Sequence, residues 1–218
     1  MNVETIFFAI ELIGTVAFAI TGVITAIEKK FDIFGAIVLG TVTAVGGGIV
    51  RDLILGYTPP MAFRKSVYAI TAVLTSLAVF LVAYFFGRKI QKHFDVYSQI
   101  INVFDSIGLS VFVVGGVNSA IACGFEENMF LSIFVATLTG IGGGDMRDIM
   151  AGRVPKILRK RVYAIAAIVG AIIYYMLIHY RLCSSTIAII LGAGSVLIIR
   201  ILATIFRWNL PIIKNLDE

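Results

Sequence analysis

The chain has 218 residues, of which 59% are hydrophobic and only 14% charged. A soluble domain of this size would have too little polar surface to stay dissolved, so the composition calls for a lipid bilayer as solvent. The net charge of +5 does not point to nucleic acid, because the basic residues alternate between loops instead of gathering in one patch.

Crossing the roughly 30 Å hydrocarbon core takes about 20 helical residues. Apolar stretches of that length run, in chain order, over approximately 3–27, 33–56, 66–87, 98–122, 128–151, 162–180 and 184–206. The first has an acidic flank and no basic start, so it is read as part of the fold and not as a cleaved leader. Short polar loops separate the seven stretches, and none could hold a soluble domain. Twelve Lys and Arg residues fall after the first, third, fifth and seventh spans, against three on the other side. The positive-inside rule then sets the amino terminus outside and the carboxyl terminus in the cytoplasm. Cys123 and Cys183 are the only cysteines, near the outer ends of the fourth and seventh spans, and no spacing motif supports a bridge. His93 and His179 lie at span ends, where an interfacial role is the default. With no CxxC, HExxH or Ser/His/Asp grouping, the residues give no footing for an enzyme, a bound metal or a cofactor.

The chain repeats itself. Gly46-Gly47-Gly48-Ile49-Val50-Arg51-Asp52 in the second span recurs as Gly142-Gly143-Gly144-Asp145-Met146-Arg147-Asp148 in the fifth. Thr41 and Thr43 align with Thr137 and Thr139, Gly56 with Gly152, and Pro59 with Pro155. Val67-Tyr68-Ala69-Ile70 aligns with Val162-Tyr163-Ala164-Ile165 after a one-residue slip. Upstream, Glu11, Gly14, Phe18 and Gly22 match Asp105, Gly108, Phe112 and Gly116. Each copy contains three crossings, an odd number, so the second copy enters the membrane from the opposite side. The expected fold is an all-α membrane domain of seven helices: an inverted repeat, 1–92 and 93–181, followed by a seventh helix and cytoplasmic tail in 182–218. Inverted repeats of this kind are common among transport proteins, whose pathway needs equivalent walls on both sides of the midplane.

Glycine costs a helix interior about 1 kcal/mol relative to alanine, so each triplet weakens its helix by on the order of 3 kcal/mol. Bends at Gly46–Gly48 and Gly142–Gly144 would have to face protein or water, since lipid cannot satisfy a freed backbone group. Close packing is the alternative, supported by the small-residue rows Gly40, Ala44, Gly48 and Ala136, Gly140, Gly144. Packing does not explain the adjacent rows, in which Thr43, Gly47 and Arg51, and likewise Thr139, Gly143 and Arg147, share one helical face. Charges inside a bilayer cost about 2.5 kcal/mol or more and need partners or water. Helical rise brings Glu11 to the depth of Arg51 and Asp105 to that of Arg147, so these are the expected pairs. For Arg147 and Asp148, interfacial anchoring is the alternative. Asp145 has no acidic counterpart, its match being Ile49, and Asp52 and Asp148 complete the charged set. Tyr68, Tyr163, Tyr174 and Tyr175 are read as belt or packing residues.

The duplicated three-span unit and the paired GGGxxRD sequences resemble the trimeric intracellular cation (TRIC) channel family in its prokaryotic branch, which shares a family with proteins described as glycine transporters. The resemblance covers nearly the whole chain. It implies a homotrimer with a potassium-permeable pore in each protomer, helices kinked at the glycine triplets, and Arg51, Asp52, Asp145, Arg147 and Asp148, with Glu11 and Asp105, lining or gating the path. It also implies a plasma-membrane location, with potassium or sodium as the permeant ion. The expected function is therefore passive conduction of monovalent cations, with the Thr43 and Thr139 hydroxyls partly replacing the hydration shell. The rival is a secondary transporter for glycine or a similar small solute.

Overall fold

The computed structural model describes residues 3–90, 94–159, 162–206 and 208. His93, the expected junction of the repeats at 92–93 and the tail beyond 208 lie outside them. Each apolar run becomes a helix: α1 (Val3–Glu28), α2 (Ile33–Ile54), α4 (Ser66–Ile90), α5 (Phe94–Ala122), α6 (Met129–Met150), α8 (Val162–His179) and α9 (Ser185–Ile205). All seven are long and apolar enough to cross a bilayer. Two one-turn helices, α3 (Met61–Arg64) and α7 (Lys156–Arg159), lie in the loops after α2 and α6. The sequence reading missed both, because four residues carry no periodicity; each follows a proline, whose fixed φ suits a first helical turn.

Helix ends are closed by repeat-related chemistry. The Asp32 carboxylate accepts from Gly35 N–H at 2.7 Å at the start of α2, and the Asn128 side chain accepts from Leu131 N–H at 3.0 Å at the start of α6. Such caps satisfy amide donors that have no partner in the first turn. Gly56 and Gly152 follow α2 and α6 at φ 73° and 64°, the left-handed conformation that lets the chain turn back over the helix end. After α1 and α5 the same conformation falls on Lys30, φ 59°, and Gly124, φ 87°.

The packing follows the repeat. Helix α1 packs on α2 and α4 as α5 packs on α6 and α8, while α1 crosses α5 and α2 crosses α6. Phe18 presses against Gly108, Phe112 presses against Gly14, and the two rings lie 5.2 Å apart. Leu55 packs with Ala120, and Ala151 with Ala26. Each of these contacts has the other as its repeat equivalent, as a two-fold relation between the copies requires. Helix α9 breaks the pattern by packing on α8 and α5. Helix α5 is the most enclosed span, whereas only 11% of the apolar window of α4 is buried, which leaves α4 on the outside of the chain.

Candidate functional site

The glycine triplets sit where α2 and α6 cross. A methyl group at Gly47 would overlap the Thr139 carbonyl oxygen, and one at Gly143 would overlap the Thr43 carbonyl oxygen. Residue numbers rise along one helix as they fall along the other, so the helices are antiparallel and their charged ends point away from the crossing on opposite sides. Both helices stay α-helical through the triplets. The middle glycines allow backbone to touch backbone. The third glycines, Gly48 and Gly144, face the guanidinium of the arginine three residues on, and a methyl there would make only ordinary contact with Arg51 at 3.8 Å or Arg147 at 3.7 Å.

Thr43 and Thr139 flank the crossing, their carbonyls set against Gly143 and Gly47. Each is fully buried and donates to its own helix, to the carbonyls of Leu39 and Val135, at 2.6 Å in both cases. Their side chains pack toward Gly22 on α1 and Gly116 on α5. A buried threonine hydroxyl that donates to the preceding turn in this way keeps its oxygen lone pairs, the part of the group a cation would meet.

Beyond the crossing, each arginine stands in a charged cluster. At the α6 end, Arg147 is 1% exposed and donates to Asp105 Oδ1 at 3.0 Å, Thr21 Oγ1 at 2.9 Å and Asp148 Oδ1 at 2.9 Å. The expected Asp105–Arg147 pair is therefore present. Interfacial anchoring of Arg147 is excluded by its burial among α1, α5 and α6. At the α2 end, Arg51 donates to Asp52 Oδ1 at 2.7 Å, while Glu11 accepts from the Tyr68 hydroxyl at 2.6 Å. The expected Glu11–Arg51 pair is replaced by these two bonds. Thr21, whose hydroxyl draws Arg147 toward α1, has Gly115 as its counterpart on α5, so nothing equivalent draws Arg51 across.

The aspartates of the two RD pairs have a second task. Asp52 Oδ2 accepts from Met61 N–H at 2.7 Å and Asp148 Oδ2 from Lys156 N–H at 3.3 Å, tying α3 and α7 to the clusters. Tyr68 and Tyr163 are also members, contrary to the belt reading. Tyr163 is 1% exposed and lies under the Arg200 guanidinium, 4.7 Å from the ring centre. Their common position in the repeated VYAI sequence was the available clue. Lys156, Thr21 and Arg200 had none, since each belongs to one cluster only.

A cavity of about 40 Å³ opens beside the first cluster, lined by Glu11, Thr15, Gly48, Arg51, Asp52, Met61, Tyr68 and Phe112 among others. That is room for water, which needs roughly 10–15 Å³ and polar partners. Asp145 is half-buried, and its Oδ1 has no hydrogen-bond partner. Cys123 and Cys183 are free. Among the described residues no group of three or more His, Cys, Asp or Glu could hold a metal ion.

Comparison with known proteins gives a consistent result. Residues 8–84 and 102–179 match a family described as glycine transporter, one segment in each repeat. A UPF0126 membrane protein of Vibrio cholerae is 37% identical over 95% of this chain and 82% of its own length. A solved structure from work on the structural basis for conductance through TRIC cation channels is 36% identical, covers both chains completely and superposes with a TM-score of 0.82. The trimeric intracellular cation channel orthologue from Rhodobacter sphaeroides is 28% identical over 94% of this chain and all of its own, with a TM-score of 0.83.

Proposed function

The chain belongs to the TRIC cation channel family, the same family that carries the glycine transporter description and includes the bacterial UPF0126 membrane proteins, and from that membership we propose that it conducts monovalent cations, potassium among them, through each protomer. Its solved structural neighbours are cation channels, and it is a multi-pass bacterial membrane protein and not an enzyme. The observation that carries the proposal is the pair of buried Arg–Asp clusters on opposite sides of the α2–α6 crossing, each centred on the Arg–Asp pair of one repeat. Buried charge and orphaned polar atoms inside a bilayer are costly to keep, and a pathway for ions is the use that offsets the cost.

In this reading the path runs past Glu11, Arg51 and Asp52, through the crossing at Gly47 and Gly143, and on past Asp105, Arg147 and Asp148. The crossing is closed by backbone contact and by the Phe18–Phe112 pair, so conduction requires α2 and α6 to part. Bending at Gly46–Gly48 and Gly142–Gly144 supplies that motion at low cost, because these positions resist bending least. The protein assembles as a homotrimer in the plasma membrane with its amino terminus outside, and residues 1–92 and 93–181 act as the two halves of one membrane domain.

Reconstitution into planar bilayers tests the proposal. Stepwise unitary currents carried by potassium are expected. Saturable glycine uptake into proteoliposomes without such currents would establish the second reading, a secondary transporter, which the family's description supports.

A further inference from the structure

Two differences between the repeats add charge, and both fall in the same cluster. Asp145 stands where the first repeat has Ile49, and Lys156, the first residue of α7, takes the place that Met61 has at the start of α3, each amide donating to the aspartate of its RD pair. Both lie within electrostatic reach of Asp105, Arg147 and Asp148. In the first repeat, with Met61 at this position, a cavity of about 40 Å³ remains beside the carboxylates. In the second, the Lys156 ammonium lies 3.2 Å from Asp105 Oδ2.

The surroundings of that ammonium are unusual. Its Nζ is buried and makes no hydrogen bond, although an ammonium has three donors to place. Asp105 is 0% exposed; its Oδ1 is bonded by Arg147, while its Oδ2 has no hydrogen bond at all. The buried Tyr163 hydroxyl faces the same point above Gly144 as Asp105 and Arg147, as Tyr68 faces Glu11 in the first repeat, but falls short of hydrogen-bond geometry. The ammonium is thus held by charge, as an ion pair with Asp105 Oδ2 lacking hydrogen-bond geometry, which is also how an ion with its hydration shell partly removed would be held.

We infer that Asp105 Oδ2 and the Tyr163 hydroxyl form a monovalent-cation site, and that the Lys156 side chain, carried on α7, occupies it as a tethered competitor. The inference rests on the channel reading for its consequence, which is that α7 must withdraw before an ion can pause at Asp105. The site itself stands on the geometry alone. Burial pushes the Lys156 ammonium down to about 8 against the upward pull of Asp105, so raising pH through that value removes the competitor's charge and weakens its hold on Asp105. Asp105 on α5, Asp145, Arg147 and Asp148 on α6, Tyr163 on α8 and Arg200 on α9 also face the cluster. They are unchanged in a Lys156 variant, so comparing it with the natural protein isolates the lysine.

The test uses purified full-length protein in detergent and potassium chloride against the chloride of a large organic cation. Lys156→Met, which copies Met61, is expected to melt at a temperature that rises with potassium, with an apparent affinity at least several-fold tighter than in the natural protein. Adding Asp105→Asn should abolish that rise. Equal potassium dependence with and without Lys156, or a rise that survives Asp105→Asn, overturns the inference. Should Lys156→Met fail to fold, Lys156→Arg serves: potassium stabilisation of the natural protein should strengthen between about pH 7 and 9, and that of Lys156→Arg should not. Matching pH dependence in the two overturns the inference as well. In bilayers, Lys156→Met is expected to pass several-fold more current than the natural protein, and unchanged current overturns the competitor role. A potassium-dependent melting shift with no current in either protein would retain the site and remove the channel reading.

Discussion

Lys30 ends α1 at φ 59°, the conformation that the second repeat assigns to Gly124. A side chain there costs roughly 1 kcal/mol that glycine does not incur. Lys30→Gly should therefore raise the midpoint of thermal unfolding in detergent by a small but measurable amount, and a fall would contradict the backbone argument. The arginines invite a sharper comparison. Arg147 serves Asp105, Asp148 and Thr21, whereas Arg51 serves Asp52 alone. Arg147→Ala should cost about 3–5 kcal/mol by stranding two buried carboxylates, and Arg51→Ala distinctly less; unfolding of both variants in denaturant checks the order. Tyr68→Phe leaves Glu11 without its donor, a loss of about 1.5–3 kcal/mol expected for a hydrogen bond to a charged group, read from the same unfolding curves. At this scale the charged residues were legible because charge is conspicuous in an apolar sequence. Their partners were less so. Helical rise matched Glu11 to Arg51 in depth but could not show that Tyr68 reaches the carboxylate first, nor that Gly115 lacks the hydroxyl that Thr21 provides. Asp105 and Arg147 were paired correctly because there the hydroxyl and the carboxylate draw the arginine in the same direction.

Among the elements, the α2–α6 crossing depends most on its smallest residues. At Gly47 and Gly143 the obstructing atoms are backbone carbonyls, which cannot rotate aside as a side chain can. Gly143→Ala should push the helices apart and destabilise the fold by about 1–3 kcal/mol, as overpacking does. Unfolding measurements test the cost, and bilayer recordings test whether the strained crossing changes open time. Gly48→Ala, whose methyl would meet only an arginine tip at 3.8 Å, should be milder; equal effects from the two would argue against backbone contact as the reason for the triplet. The triplets were visible as weak helix, but the sequence could not distinguish bending from proximity, because both require the absence of a side chain. Helices α3 and α7 were hidden for another reason. Their amide groups are secured by Asp52 and Asp148, nine and eight residues away, a link that no local pattern carries. Cys123 and Cys183 provide a test of direction: both are free and partly exposed beside the ends of α5 and α9, so a membrane-impermeant maleimide should label right-side-out vesicles and spare inverted ones.

For the whole molecule, the apolar surface exceeds what one layer of secondary structure needs to hide: Phe34, Tyr84, Phe85 and Phe130 are each more than 70% exposed. Lipid or neighbouring copies cover such faces. Light scattering of the detergent-solubilised protein should give a mass of three chains; a monomer that still conducts would separate the pore from the assembly. The seven spans and their inversion were legible because hydropathy and an odd crossing count are properties of the chain as a line, whereas the arrangement around the crossing depends on contacts between distant segments. Those contacts carry one more implication. Phe18 fits Gly108 just as Phe112 fits Gly14, and Gly47 meets Thr139 just as Gly143 meets Thr43. A surface that complements itself under a half-turn is an isologous interface, the kind that joins two identical subunits. The covalent link between the repeats is thus geometrically dispensable at its centre, and the same contacts would serve two half-length chains inserted in opposite senses. The departures from self-complementarity, Thr21 opposite Gly115, Asp145 opposite Ile49 and Lys156 opposite Met61, mark where a single chain makes the two sides of the membrane differ.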